Sequence, residues 1–187
     1  MITWTSQIIE KEIKVLDIDL PKLIARAEAL WWERVAERTT IHDLYYEGRE
    51  ELWTTKKIRI RRTWSDDIIT MKMWWAQYDT STRTKQRREY ESHISRTQWA
   101  DTMMQKWLIP SREKFKTRIT YVFDECVCDI DLYPWLPPLV ELEWDSEKVL
   151  FKRIKKLWLN SHATSNRGSR SLYKRYNKSV LPVVWSS

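Results

Sequence analysis

Glycine is almost missing from this sequence. Only 2 of the 187 residues are glycine, whereas 13 are tryptophan, and average glycine usage is about 7%. Tight turns usually need a residue that tolerates positive φ, and tryptophan is a poor choice there. The segment DLYPWLPPLVELEW, residues 131–144, shows the problem, because its prolines mark a tight connection around Trp135.

The sequence also lacks long apolar runs, cysteine frameworks and clustered histidines. No uncharged apolar run approaches the roughly 18 residues of a membrane span, and the N-terminus has no basic start followed by an apolar core. We therefore expect a soluble, cytoplasmic protein. Cys126 and Cys128 form neither a CxxC pair nor a secretory framework, so we expect reduced, structural thiols.

Basic residues outnumber acidic residues by 33 to 26, which gives a formal charge of +7. An anionic partner is therefore plausible, but charge alone does not separate nucleic acid from nucleotide or polyphosphate. Because basic and aromatic residues do not interleave as in RNA-binding segments, we expect no nucleic-acid partner. The length suits one domain over residues 1–187, with a helical segment at about 145–187 packed on it.

Alternating apolar and polar residues predict eight strands. They cover residues 7–15, 39–46, 56–63, 67–74, 88–94, 113–123, 125–132 and 139–143. Helical spacing predicts helices over residues 20–38, 95–108, 146–159 and about 169–175, the first behind an N-cap at Asp19 and a first-turn Pro21. Short turns and few helices favour antiparallel pairing. The predicted fold is α+β, a closed eight-stranded antiparallel β-barrel with flanking helices.

Like charges share one face of several predicted strands. The acidic pairs are Glu10 with Glu12, Glu89 with Glu91, Asp129 with Asp131 and Glu141 with Glu143, and the basic sets are Arg59 with Arg61 and Lys114, Lys116 and Arg118. For one strand, an ordinary solvent face explains such alternation. Several like-charged pairs together are different, because they repel unless a metal cation or a polyanion lies between them. Turned inward, these faces would line a polar tunnel.

The order of these motifs resembles the CYTH domain family, which contains class IV adenylyl cyclases, thiamine triphosphatases and inorganic triphosphatases, also called triphosphate tunnel metalloenzymes. The matching motifs are ExExK at residues 10–14, KIRIRR with Arg59 and Arg61, TxK with Thr70 and Lys72, ExE with Glu89 and Glu91, KxRxxY with Lys116, Arg118 and Tyr121, and Asp131 before the ExE of Glu141 and Glu143. The set spans residues 10–143. Lys57 departs from it, because the family has an apolar residue there.

The resemblance implies a barrel tunnel that takes a triphosphate together with Mg²⁺ or Mn²⁺. It assigns metal binding to Glu10, Glu12, Glu141 and Glu143, with Glu89, Glu91 and Asp131 as further ligands or supports. It assigns phosphate binding to Lys14, Arg59, Arg61, Lys72, Lys116 and Arg118. Glu12 and Lys14 are the predicted catalytic residues.

We therefore expect metal-dependent hydrolysis of inorganic triphosphate, thiamine triphosphate or a nucleotide, with water activated by a metal and a carboxylate base. One alternative is a class IV-type adenylyl cyclase that converts ATP to cyclic AMP and pyrophosphate, although no adenine-reading signature is visible. Another is a non-catalytic polyphosphate-binding module. The expected partner is a triphosphate-containing small molecule, with no membrane, for a monomer or homodimer.

Several tryptophans fall where a turn or a family glycine is expected: Trp64, Trp74, Trp75, Trp135, Trp144 and Trp158. Adding 13 tryptophans to 2 glycines gives 15 in 187 residues, or about 8%, close to the ordinary glycine share of about 7%. We hypothesise that many or all of these tryptophans are UGA codons that the source reads as glycine. The alternative is a protein rich in tryptophan that forms aromatic patches.

Overall fold

The computed structural model describes residues 6–48, 56–62, 67–73, 84–93, 108–124 and 126–178, with backbone alone for 6–10, 47–48, 56–58, 67–73, 86–93 and 108–110. The strands in these ranges are β1 (Ser6–Val15), β2 (Glu33–Gly48), β3 (Lys56–Arg62), β4 (Asp67–Met73), β5 (Lys85–His93), β6 (Leu108–Phe123), β7 (Cys126–Leu132), β8 (Leu139–Trp144) and β9 (Thr164–Ser165). The helices are α1 (Leu20–Ala29), α2 (Glu147–Lys156) and α3 (Ser169–Arg175).

The strands form one antiparallel sheet in the order β5-β4-β3-β2-β6-β7-β8-β1-β9. Strand β1 pairs with β8 over Lys11↔Trp144 to Val15↔Val140. It also pairs with β5, from Ser6↔Glu91 to Glu12↔Lys85. The predicted α+β class and antiparallel pairing are therefore confirmed.

A hydrophobic core lies between one face of the sheet and helices α1 and α2. It contains Ile13 and Val15 of β1, Ile119 and Tyr121 of β6, Cys126, Cys128 and Ile130 of β7, Val140 and Leu142 of β8, Leu23 and Ala27 of α1, and Leu150 and Ile154 of α2. Burial raises the pKa of the Cys126 thiol to about 11. Because side chains alternate between the faces of a strand, the residues between these core positions point to the opposite face.

Helix α1 is shorter than its sequence pattern predicts. It begins as expected, with the Asp19 carboxylate accepting a hydrogen bond from the Lys22 N–H at 3.2 Å and Pro21 in the first turn. It ends at Ala29, however, and residues 33–38 belong to β2. The prediction of helix over residues 30–38 was wrong, because apolar spacing carries no signal for the reversal at Trp31, where φ is 60°.

The remaining predicted elements are found with changed boundaries. Strands β2 and β6 each have 16 residues and begin before the predicted positions 39 and 113. The helix predicted over 95–108 lies outside the described residues except for Leu108, which begins β6 instead. Helix α3 occupies its predicted residues, whereas α2 ends at Lys156. No helix in the described ranges has both the length and the apolar character needed to cross a membrane.

A residue with left-handed backbone geometry lies two positions after the end of each described helix. At the end of α1, the N–H groups of Trp31 and Trp32 donate to carbonyls of the last helical turn at 3.0 and 3.1 Å, the pattern of a Schellman motif. The left-handed residue of that motif is usually glycine. Here it is Trp31 in α1, with φ 60°, Trp158 in α2, with φ 60°, and Asn177 in α3, with φ 52°.

The turn between β7 and β8 has the same feature. The Leu136 N–H donates to the Tyr133 carbonyl at 3.3 Å, which places Pro134 and Trp135 at the two central turn positions. Trp135 has a φ of 62°, and proline followed by a positive φ is typical of a type II turn with glycine at its third position. Trp144 differs, because it packs partly buried against the core without a positive φ.

Candidate functional site

The face of the sheet opposite the α1 and α2 core carries charged side chains from seven strands. The described ones are Glu12 and Lys14 of β1, Asp43 of β2, Arg59 and Arg61 of β3, Lys85 of β5, Lys114, Lys116 and Arg118 of β6, Asp129 and Asp131 of β7, and Glu141 and Glu143 of β8. Most of them are buried. Burying a charge is costly unless a partner compensates it, so the pairing of these groups decides what the site can do.

Lysines and carboxylates alternate along one side of the site. Lys85 Nζ and Lys14 Nζ each lie 2.8 Å from Glu12 Oε1. Lys14 Nζ also lies 2.9 Å from Glu141 Oε1. On its other oxygen, Glu141 accepts a hydrogen bond from Arg118 Nη2 at 2.9 Å. Glu12 and Glu141 thus each join two basic side chains.

Arg118 continues this alternation onto β7. Its Nε and Nη2 donate to the two Asp131 oxygens at 2.7 and 2.9 Å, a bidentate geometry that suits arginine. Lys116 Nζ donates to Asp131 Oδ2 at 2.6 Å. Arg118 also bonds Asp129, whose other oxygen accepts from Thr120 Oγ1 at 2.6 Å. We call the set Lys85, Glu12, Lys14, Glu141, Arg118, Asp131 and Lys116 the alternating chain.

These contacts and burial shift the pKa values of residues in the alternating chain. Burial by itself lowers the pKa of Lys14, but Glu12 and Glu141 outweigh it and the pKa is raised. Burial favours neutral Glu141, yet Lys14, Lys116 and Arg118 hold its pKa well below the usual range. For Lys116 burial prevails, aided by Arg118 and opposed by Asp131, and it lowers the pKa to about 8.

An acidic cluster adjoins the alternating chain. Carboxylate oxygens of Asp129, Glu141 and Glu143 all lie within 4.8 Å of one another. Burial raises the pKa of Asp129, and the charges of Asp131 and Glu141 add to that rise against the opposing effect of Arg118. Oxygen donors crowded in this way suit a hard divalent cation, whose charge would relieve the repulsion. The cluster can therefore hold a metal ion.

A second set of charges lies where β2, β3 and β6 meet. The Asp43 side chain is fully buried. Arg61 Nε donates to Asp43 Oδ1 at 3.0 Å, and Lys114 Nζ lies 3.1 Å from Oδ2. Burial favours neutral Asp43, but Lys114, Arg61 and Arg59 hold its pKa well below the usual range. This basic set has one carboxylate among three cations.

The structure brings together most of the predicted site residues. Glu12, Lys14, Lys116, Arg118, Asp131 and Glu141 join the alternating chain, Glu143 joins the acidic cluster, and Arg59 and Arg61 lie around Asp43. Glu10, Lys72, Glu89 and Glu91 are described by backbone alone, with Lys72 opposite Glu89 in the β4–β5 pairing. Their side chains lie outside the described part of the structure, so their predicted roles stay predictions.

Three predicted metal ligands contact cations in the structure. Glu12 contacts two lysines, Asp131 contacts Lys116 and Arg118, and Glu141 contacts Lys14 and Arg118. Asp129, absent from the predicted ligands, takes the place beside Glu141 and Glu143.

Four of the described charged residues of the site had no predicted binding role: Asp43, Lys85, Lys114 and Asp129. Lys114 and Asp129 did have a signal in the sequence, because each shares a strand face with a residue that was predicted. Asp43 and Lys85 had none, since their partners come from other strands.

No protein-family model and no curated protein matches the chain, whereas solved structures do. The PH1819 protein of Pyrococcus horikoshii superposes with a TM-score of 0.64 at 20% identity, over 89% of this chain and 98% of its own. A candidate adenylate cyclase of Vibrio parahaemolyticus gives 0.60 at 15% identity, over 90% and 88%. HpAC1 of Hippeastrum, a candidate adenylyl cyclase with a dominant triphosphatase activity, gives 0.58 at 12% identity, over 92% and 97%.

The chain has the fold of these proteins. The resemblance drawn from the ordered motifs is thus supported by structure neighbours that include candidate adenylate cyclases and a protein with triphosphatase activity. At these identities the likeness concerns the fold, and the reaction must be argued from the site.

Proposed function

We propose that this protein hydrolyses a triphosphate compound inside a tunnel formed by the sheet. Pairing of β1 with both β8 and β5 supports closure of eight strands around the charged face. The observation that carries the proposal is the acidic cluster of Asp129, Glu141 and Glu143 directly beside the alternating chain. Such a site offers oxygen ligands for a cation next to basic groups for phosphate oxygens.

Three basic members of the alternating chain, Lys14, Arg118 and Lys116, have a task in this proposal. Lys14 and Arg118 lie against Glu141, so they would hold a phosphate next to the acidic cluster. Arg118 would orient the bound triphosphate, and Lys116 would offset part of its negative charge. Glu12 contacts Lys14 outside the cluster, which makes it our candidate acceptor for the proton of the attacking water.

The residues that would hold Mg²⁺ or Mn²⁺ are Asp129, Glu141 and Glu143. When bound, such a cation stabilises the charge that develops on phosphate oxygens.

Product analysis tests the function. Purified protein with Mg²⁺ or Mn²⁺ should release orthophosphate from inorganic triphosphate, thiamine triphosphate or ATP. Formation of cyclic AMP and pyrophosphate from ATP would instead identify a cyclase, the second candidate, which is favoured by the fold of candidate adenylate cyclases. Folded protein that consumes none of the three compounds would contradict both. Activity unaltered in a Glu10→Gln, Glu12→Gln double variant would favour a non-catalytic polyphosphate-binding module with contaminating hydrolase.

Triphosphate affinity should fall as pH rises through about 8, the pKa of buried Lys116. In the free protein Lys116 carries its proton below this pH and loses it above, so at pH 9 binding must take up a proton. We expect about tenfold weaker binding at pH 9 than at pH 7, beyond the change shown by Lys116→Arg, whose guanidinium stays charged. Calorimetry at both pH values measures this. Equal pH profiles for the two proteins would contradict it.

A further inference from the structure

A cavity lies between β9 and α3, beside the edge of β1. Its volume is about 460 Å³, within the range of about 300–1,000 Å³ that is usual for small-molecule pockets. The lining residues that matter here are Thr164, Ser165, Arg167, Ser171, Leu172 and Arg175. None of them is among the charged side chains of the candidate site, so the cavity is a separate feature of the molecule.

Both walls of the cavity are fixed to the rest of the protein. Strand β9 pairs with β1 over two residues, and beside that pairing the Leu16 N–H donates to the Ala163 carbonyl at 2.9 Å. Leu172 and Tyr173 anchor α3 in a second hydrophobic cluster that contains Leu16, Tyr133, Leu136 and Leu139. Because the walls are already in place, a ligand would lose little binding free energy to ordering of the protein.

The described lining of the cavity carries two guanidinium groups and no carboxylate. Neither Arg167 nor Arg175 forms an ion pair with any residue that the structure describes. The carboxylate of Asp17 accepts a hydrogen bond from Tyr176 Oη at 2.7 Å instead. Arg175 follows Ser171 by four residues, so the two share one face of α3. Guanidinium groups without a carboxylate partner suit an anion, and their planar fork matches two phosphate oxygens.

Hydroxyl and amide groups complete the described lining. Ser165 Oγ accepts a hydrogen bond from the Arg167 N–H at 3.1 Å, so its own O–H can donate to a ligand. Thr164 adds a second hydroxyl on this wall, Asn166 adds an amide, and Leu172 contributes apolar surface. The cavity therefore suits a polar molecule with several hydrogen-bonding groups.

We propose that this cavity binds a small phosphomonoester with a polar body, such as a sugar phosphate. A phosphomonoester carries between one and two negative charges near neutral pH, which matches two guanidinium groups better than the single charge of a carboxylate. Arg167 and Arg175 would hold the phosphate group, and the hydroxyl and amide groups would bind the polar body. The site goes beyond the proposed function and does not depend on it, because no hydrolysis is involved.

Titration of the isotope-labelled protein, followed by NMR, tests this proposal because each backbone amide reports on its own surroundings. Ribose-5-phosphate should shift the amides of Arg167, Ser171 and Arg175 in a saturable way. Inorganic phosphate should bind there about tenfold more weakly, and ribose should not bind. An Arg167→Gln, Arg175→Gln double variant should bind ribose-5-phosphate at least about tenfold more weakly, since hydrogen bonds from charged groups are lost. Lys174→Gln, an exposed charge of α3 outside the described lining, is the matched control and should bind as wild type.

Absence of saturable shifts at these amides, or equal binding by the double variant and wild type, would overturn the site. Shifts of the same size at the exposed Lys148, Lys152 and Lys155 of α2 would show general attraction to positive charge and would also overturn it. Equal affinity for ribose-5-phosphate and inorganic phosphate would overturn the ligand class. Both arginines are exposed, so the double variant should fold, and its spectrum reports this directly.

Discussion

Replacement of Glu141 by glutamine should lower kcat for triphosphate hydrolysis by at least about a hundredfold, comparable to the loss of one preorganised oxyanion-hole donor. Glu141 joins the two parts of the site. One oxygen lies 2.9 Å from Lys14 Nζ, the other 2.9 Å from Arg118 Nη2, and the same carboxylate belongs to the acidic cluster. Glutamine keeps the shape but removes the charge, so two cations and any bound metal lose a partner.

The Mg²⁺ concentration for half-maximal activity distinguishes this role from a loss of folding. It should rise in Glu141→Gln, because one carboxylate of the cluster is gone. Glu37→Gln serves as control, since the Glu37 side chain is 87% exposed, and it should behave as wild type. Thermal unfolding must be followed in parallel, because removing one partner of a buried ion pair costs about 3–5 kcal/mol. Wild-type kcat with an unchanged Mg²⁺ requirement would contradict the assignment.

Strand positions could be predicted because alternation is a local property of the chain. In β7, Cys126, Cys128 and Ile130 face the core while Asp129 and Asp131 face the site, as their spacing alone implies. The position at which a helix ends depends more on contacts with distant parts of the chain. The residues after Ala29 keep an apolar pattern that a helix could use, and it is pairing with distant β6 that makes residues 33–38 a strand.

The composition of the site could be predicted better than its pairing. Ordered motifs included most of the described charged residues of the site, because the residues of a motif lie mainly within one strand. Which carboxylate contacts which cation depends on the register between strands, and no motif records it. Glu12 therefore contacts Lys85 of β5, and Asp43 contacts Lys114 of β6, two partners that sequence reasoning did not find.

Replacement of Trp31, Trp135 and Trp158 together by glycine should raise the free energy of unfolding by about 1–2 kcal/mol. Each has a φ of 60–62°, where a residue with a Cβ pays about 1–2 kcal/mol. Glycine reduces this gain by about 0.4–1 kcal/mol per site, because it increases the conformational entropy of the unfolded chain. Little burial is lost, since the side chains are 90%, 57% and 66% exposed. Loss of the Trp158 ring, whose centroid lies 4.0 Å from Arg26 Cζ, removes a cation–π contact of about 0.5–1 kcal/mol. Urea unfolding of wild type and triple variant measures the difference.

Trp32 is the matched control for this substitution. It follows Trp31 directly, but it is buried and stacks on Phe123 with ring centroids 5.6 Å apart. Trp32→Gly should lower stability by about 3 kcal/mol or more, because it opens a cavity in the core. A triple glycine variant less stable than wild type would show that these turns accommodate tryptophan.

The same contrast sharpens the codon hypothesis. If UGA is read as glycine in the source, the backbone requires that reading at Trp31, Trp135 and Trp158, where the Schellman and type II turns usually take glycine. The backbone does not require glycine at Trp32, whose ring packs in the core. Mass spectrometry of the protein from its source decides the matter. We expect glycine at the three left-handed positions, and UGG codons there would refute it.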